Sequence, residues 1–285
     1  METGSVLNKK INFLAVATVE NANPNGDPLN GNRPRQHYDN TGFITPVCIK
    51  RKIRNRLQDL GRRILIQQND RTDDNMNNLS DRLNSVEGIS AARKKKDNVT
   101  IVRLACEAFE DVRAFGATIA LKDKTSVGIR GPVTIQPAMS VGTIDIDSNQ
   151  ITKSTNSEPG DVKGADTMGM IHAVRYGVYV IKGSINPILA GKTGLTNSDA
   201  DDIKEALRSL FVNDDSAARP AGSMNIIRLF WWEQGVDDIR YSDKKIFDTI
   251  QVTLREPDIS PAGENDFSIS ENDLPGLTPE IIEGY

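Results

Sequence analysis

The sequence predicts an α+β fold built on a mainly antiparallel sheet, and three observations carry that reading. Segments of period-two or continuous apolar character are interspersed with segments of helical period. Their order runs strand, helix, long insertion, helix, strand, hairpin insertion, strand, helix, strands. The composition, 38% apolar and 26% charged over 285 residues, supplies a core for one large domain or two modest ones.

Residues Ile11 to Val19 read as the first strand. Ile11, Phe13, Ala15, Ala17 and Val19 share one face, while Leu14 and Val16 fill the other, so the strand is covered at least partly on both faces. The turn cluster Asn23-Pro24-Asn25-Gly26-Asp27-Pro28 opens a loop that runs through Gly31-Asn32-Arg33-Pro34-Arg35 to Gly42. Thr45-Pro46 marks a helix start, with Thr as N-cap and Pro at the first helical position. Ile49, Ile53, Leu57, Leu60 and Ile64 follow as one apolar stripe. Residues 67–98 are polar and weakly patterned. They read as a partly helical, mobile insertion holding the charge run Arg93-Lys94-Lys95-Lys96.

A second helix is expected from about Ile101 to Asp111, closed by Asp111-Val112-Arg113-Ala114-Phe115-Gly116. A short strand within Val127–Gln136 is broken at Arg130-Gly131-Pro132, and residues 137–171 read as a protruding β-hairpin with a loose tip. His172 to Ile181 is a strand, Ser198 to Phe211 a helix capped by Ser198, and Asn225–Trp232 and Lys245–Leu254 are closing strands. Residues 1–255 thus form one domain, and the acidic, Pro- and Gly-rich segment 256–285 is an extended tail. A ferredoxin-like core of the RRM type with large insertions accommodates this order.

Charge and cysteine usage narrow the function classes. The formal net charge is −4, yet eight of the 39 acidic residues and no Lys or Arg lie after residue 255. The remaining chain carries 35 basic and 31 acidic residues, the mildly basic balance that phosphate binding tolerates. No apolar run approaches the roughly 20 residues of a membrane span, and no signal peptide is evident, so a cytoplasmic protein is expected. Cys48, Cys106, His37 and His172 show no paired spacing, which argues against a structural zinc site; no metal or cofactor is expected.

Catalysis finds little support. Neither His37 nor His172 accompanies a nucleophile motif. Gly191-Lys192-Thr193 ends like a phosphate-binding loop, but Asn186 stands where that loop needs its first Gly. Asp27, Asp111, Asp145 and Asp147 are Mg²⁺ ligands by type, and a metal-dependent ribonuclease is kept as the alternative, with Asp145 or Asp147 carrying it. Binding fares better. Lys50, Arg51, Lys52, Arg54, Arg56, Arg62 and Arg63 are seven cations within fourteen positions. Arg51, Arg54 and Arg62 fall opposite the apolar stripe. Such a set repels itself unless an anion compensates, and a nucleic-acid backbone would do so; a solvated basic face is the competing reading. In the preceding loop Gly allows close approach, and Asn23 and Asn25 offer amides to phosphate or sugar. Phe13 is the lone aromatic of the first strand, so backbone tracking suits the segment better than base stacking.

Several motifs resemble the Cas-seven family of CRISPR effector subunits. They are the Asn23–Pro28 cluster, Gly31-Asn32, Pro34-Arg35, Ile44-Thr45, and Val47-Cys48-Ile49-Lys50-Arg51-Lys52-Ile53-Arg54-Asn55. Asp111–Gly116, Ile129-Arg130-Gly131-Pro132-Val133, Thr167-Met168-Gly169, Tyr176–Tyr179 and Ser216-Ala217-Ala218-Arg219 follow in order, spanning residues 11–232. They look most like the type I-C branch. The resemblance implies a hand-like subunit with an RRM-like palm and the hairpin as thumb. It implies a non-catalytic backbone subunit of a type I Cascade complex, whose copies stack head to tail along a crRNA and leave the guide bases free to pair with target DNA. Its partners would be the guide RNA, target DNA, further copies of the chain, and the large, small and guide-processing subunits, with no membrane. Lys50, Arg51 and Arg54 would then hold phosphates, and Arg35, Arg130, Arg175 and Arg219 would add contacts. Met168 would be either a wedge between bases or a hairpin core contact.

Overall fold

A computed structural model describes residues 4–120, 126–152, 168–256 and 259–285. In chain order the elements begin with β1 (Lys9–Ala22), β2 (Gly26–Asp27), β3 (Arg33–Pro34), β4 (Thr41–Ile44) and α1 (Pro46–Asp59). The inserted unit follows as α2 (Leu79–Asn84), α3 (Ile89–Lys95), α4 (Asn98–Ala108), α5 (Glu110–Phe115), β5 (Gly116–Ala120) and β6 (Ser126–Arg130). Then come β7 (Val133–Ile135), β8 (Ala138–Thr143), β9 (Ile146–Thr152), β10 (Met168–Ile185), α6 (Pro187–Thr193) and α7 (Asn197–Arg208). The chain closes with β11 (Met224–Gly235), α8 (Asp243–Phe247), β12 (Ile250–Leu254), β13 (Phe267–Glu271) and β14 (Glu280–Glu283).

The main sheet runs β14-β11-β1-β10-β8-β4, and its pairings are antiparallel. β1 lies at its centre and is covered on both faces, as its sequence pattern requires. Ile11, Phe13, Ala15, Ala17 and Val19 pack against Ile49, Ile53 and Leu57 of α1 and Ile203 and Leu207 of α7. Leu14 and Val16 join Tyr176, Val178, Phe230 and Trp232 on the other face, beneath Ile246, Ile250 and Phe267. A further apolar cluster, with Leu83, Ile89, Ile101, Phe109, Val112 and Ile119, belongs to the inserted unit. No helix among the described residues is long and apolar enough to cross a membrane.

α1 starts where expected: the Thr45 hydroxyl accepts from the Cys48 amide at 3.3 Å, and Pro46 fills the first turn. It stops sooner than its apolar stripe. Gly61 turns left-handed (φ +79°), its amide donates to Gln58 and that of Arg62 to Leu57, so the helix closes at Asp59. Leu60 and Ile64 still reach the same core from outside the helix. The second expected helix is two helices, because Phe109 is extended and buried between α4 and α5. The strand expected from His172 starts earlier, at Met168, and α7 is capped by Thr196 rather than Ser198 through a capping box with Asp199.

The C-terminal third departs most from expectation. Lys245 belongs to α8, and β12 pairs with β13 in a separate sheet instead of closing the main one. The segment expected to be an extended tail supplies β13 and then β14, which pairs with β11 as an edge strand. Two of its acids form ion pairs: Glu280 with Lys204 at 2.8 Å and Glu283 with Arg228 at 3.1 Å.

Candidate nucleic-acid interface

The basic side of α1 lies against protein. Lys52 is buried and paired with Asp214; Arg54 donates to Asp111 at 2.9 Å. Arg56 donates to Ser209 Oγ at 2.7 Å, and Arg51 to the Ile66 carbonyl at 2.6 Å. Beyond the helix, Arg62 reaches Asp202 at 2.6 Å and Arg63 stacks over Phe109. The expectation that these cations need an external polyanion is therefore corrected: carboxylates hold Lys52, Arg54, Arg56 and Arg62, and neutral oxygens hold Arg51 and Arg63. Magnitudes explain the outcome. Burying Ile49, Ile53 and Leu57 contributes roughly 5–9 kcal/mol, whereas each like-charge neighbour costs only about 0.2–0.5 kcal/mol.

Lys50 is the exception. Its ammonium stands 5.5 Å from the Phe115 ring centroid and has no carboxylate partner among the described residues. Desolvation, followed by repulsion from Arg54, lowers its pKa from the ordinary lysine value. It lines an open cleft of about 460 Å³ with Phe115, Thr118, Gly128, Arg130 and Gly131. Arg130, at the end of β6, is exposed and likewise has no ion-pair partner among the described residues. Gly131 is fixed by crowding, since a Cβ there would stand 2.2 Å from the Phe115 carbonyl carbon and 2.3 Å from the Gly116 amide nitrogen. The cleft wall therefore admits no side chain at that point.

The other expected residues fall into two groups. At the N-terminal end of α1, Asn23 is buried and donates to the Asn32 carbonyl at 2.7 Å. Asn25 Oδ1 accepts from the Thr45 amide at 2.9 Å and the Thr45 hydroxyl at 2.8 Å. Of the two amides expected to face phosphate, that of Asn23 ties the loop to itself and that of Asn25 pins the loop to the helix cap. Arg35 pairs with Asp27 at 3.5 Å, and Arg219 with Asp214 at 3.1 Å. The hairpin holds the second group. Met168 is half exposed at its outer end, with its sulfur accepting from Gln150 at 2.6 Å. Arg175 is exposed, with its amide donating to the Asp145 carbonyl at 2.9 Å. The hairpin tip, including Thr167, lies outside the described residues.

The metal-ligand candidates do not converge. Asp111 is buried as an acceptor for Leu65, Ile66 and Arg54. Asp27 caps the turn at Leu29, while Asp145 and Asp147 are exposed around the start of β9. The carboxylate group whose oxygens gather within 4.8 Å is Glu110, Asp199 and Asp202. The guanidiniums of Arg62 and Arg113 already occupy it, Arg113 clasping Asp199 at 2.6 and 2.8 Å, so it does not suit a cation. Burial, with the neighbouring Asp199 and Asp202, pushes Glu110 up to about 8.

Sequence reasoning missed Phe115 and Thr118 as cleft walls and Arg33 as a contact to the hairpin. Arg33 donates to Ser148 Oγ at 2.8 Å across 115 residues of chain, a separation that no local pattern signals.

Comparison with known proteins fits this arrangement. The family described as CRISPR-associated protein Cas7 matches residues 9–271. A CRISPR-associated protein Cas7 of Haloferax volcanii is 26% identical over 208 residues, 66% of this chain, and the match spans 60% of that protein's length. A chain of a solved CRISPR RNA-guided surveillance complex, pre-nicking, superposes with a TM-score of 0.50 at 12% identity, covering 78% of each chain.

Proposed function

Because the chain belongs to the CRISPR-associated Cas7 family, we propose that it is a non-catalytic crRNA-binding backbone subunit of a type I Cascade complex, closest to type I-C. Copies would line up along the spacer of the guide RNA and present its bases to target DNA, beside the large, small and guide-processing subunits.

The observation that carries this reading is the pair Lys50 and Arg130, cations without carboxylate partners that line one cleft over an aromatic floor. A phosphodiester answers that need, because it supplies the missing anion. Two features support an RRM-like palm with a thumb. The strand order β11-β1-β10-β8, with α1 and α7 packed on one face, has the sequence logic of a split βαβ pair. The hairpin β9–β10 carries exposed Ile151, Met168, Met170 and Ile171, apolar side chains suited to contacts between copies or to a base wedge. The opposite sheet face is roofed by α8, β12 and β13, which leaves base stacking on the strands no room. Asp145 and Asp147, candidates for the ribonuclease alternative, have no further ligand gathered beside them among the described residues.

The double variant Lys50→Ala/Arg130→Ala is expected to bind guide RNA at least ~10-fold more weakly and to flatten the salt dependence by about two. Its far-UV circular dichroism should be unchanged, because neither side chain holds an ion pair. Undiminished co-purification of guide RNA with this variant would refute the cleft as the phosphate site.

A further inference from the structure

Arg33 is held unlike Arg35, the other arginine of the loop, and unlike Arg54 of α1. Arg35, Arg54 and Arg219 each meet a carboxylate. The Nη1 of Arg33 instead meets neutral partners, Ser148 Oγ at 2.8 Å and His172 Nδ1 at 3.5 Å. Ser148 Oγ and His172 Nδ1 lie 2.8 Å apart. Arginine can only donate, so the Ser148 oxygen accepts from it while also sharing a hydrogen bond with His172 Nδ1. These contacts orient the guanidinium through one nitrogen, while Nε and Nη2 have no acceptor among the described residues. Donors fixed in a plane without an anion are the fork that a phosphate oxygen pair accepts.

We infer that Arg33, oriented by Ser148 and His172, forms a second phosphate subsite at the base of the β9–β10 hairpin, taking a phosphodiester of single-stranded nucleic acid. The inference rests on the proposed function and adds a contact on the hairpin side to the one beside α1. The site spans two elements: Arg33 stands on β3, while Ser148 and His172 face each other across the hairpin as paired residues of β9 and β10. A phosphate bound there would therefore also fix the hairpin against the loop, where the β3–β10 contacts already lie.

The test uses the full chain with fluorescein-labelled oligouridylate and, in parallel, oligothymidylate, titrated at several salt concentrations. Arg33→Ala is expected to weaken both by about tenfold and to reduce the salt slope by about one. Arg33→Lys, which keeps the charge and loses the fork, should keep the slope and recover only part of the affinity. Arg33→Gln, which keeps a polar side chain without the charge, guards against misfolding; it should lose the same unit of slope with an unchanged melting temperature. Binding that survives Arg33→Ala and Arg33→Gln unaltered overturns the subsite and leaves the function standing. Weaker binding with an unaltered slope overturns it as well, because Arg33 would then be only a strut. A wild-type chain that binds neither oligonucleotide overturns the proposed function and this site together.

Discussion

Asp111→Ala is expected to destabilise the chain by about 3–5 kcal/mol, the range found when one partner of a buried ion pair is removed. Asp111 is fully buried and accepts three hydrogen bonds: the Leu65 amide at 2.8 Å, the Ile66 amide at 3.3 Å and Arg54 Nε at 2.9 Å. Without the carboxylate, two buried amides lose their acceptor and a largely buried guanidinium loses its counter-charge. The site also joins α1 to the start of the insertion, so the damage spreads to both. Chemical denaturation measures it: the midpoint should drop steeply for Asp111→Ala and less for Asp111→Asn, which keeps one acceptor oxygen. A wild-type midpoint for Asp111→Ala would show that the Arg54 pair contributes nothing.

Glu110→Gln should act in the opposite direction, and only at higher pH. Glu110 is buried beside Asp199 and Asp202, one of its oxygens has no hydrogen-bond partner, and its carboxyl titrates near 8 instead of 4.5. The folded chain therefore holds a proton that the unfolded chain releases. The contribution of Glu110 to stability is highest below about pH 4.5, falls as pH rises, and levels off above about 8. Glutamine reproduces the protonated form at every pH. The variant should match the wild type near pH 5 and exceed it by on the order of 4 kcal/mol near pH 9. Parallel melting curves across that range decide the matter. Parallel pH profiles for the two proteins would mean that Glu110 is ionised in the fold throughout.

Legibility in the sequence followed the distance over which a feature is determined. The two-faced burial of β1, the Thr45 cap and the stripe Ile49-Ile53-Leu57 are local patterns, and all three stand in the structure. The existence of the β9–β10 hairpin was equally readable, since its strands are neighbours in the chain. The reading of the α1 cations failed because their partners, Asp111 and Asp214, lie 57 and 162 residues away, and periodicity reports a face without reporting what covers it. The tail misled for the same reason: its acidic, Pro- and Gly-rich composition suggested an extended segment, while its pairing strand β11 lies some fifty residues upstream. Within the candidate interface, Lys50 and Arg130 were legible as cations, but their isolation from carboxylates was not. Asn23 and Asn25 were legible as turn formers, and that is the work they do.

The inserted unit keeps an apolar cluster of its own, formed by α2 through β6 and distinct from the two that flank the main sheet. Its own packing sets it apart although polar contacts join it to α1 and the loop after it, through Asp111, the Arg63 carbonyl that accepts from the Glu110 amide at 3.0 Å, Arg82 on the Leu65 carbonyl at 3.2 Å and Arg63 on Ser85 Oγ at 2.8 Å. Such an arrangement gives the chain two cooperative parts rather than one. Deuterium uptake should reach the amides of α3 and α4 well before those of β1 and β10, so this corner can breathe or adjust its pose while the sheet beneath it stays shut.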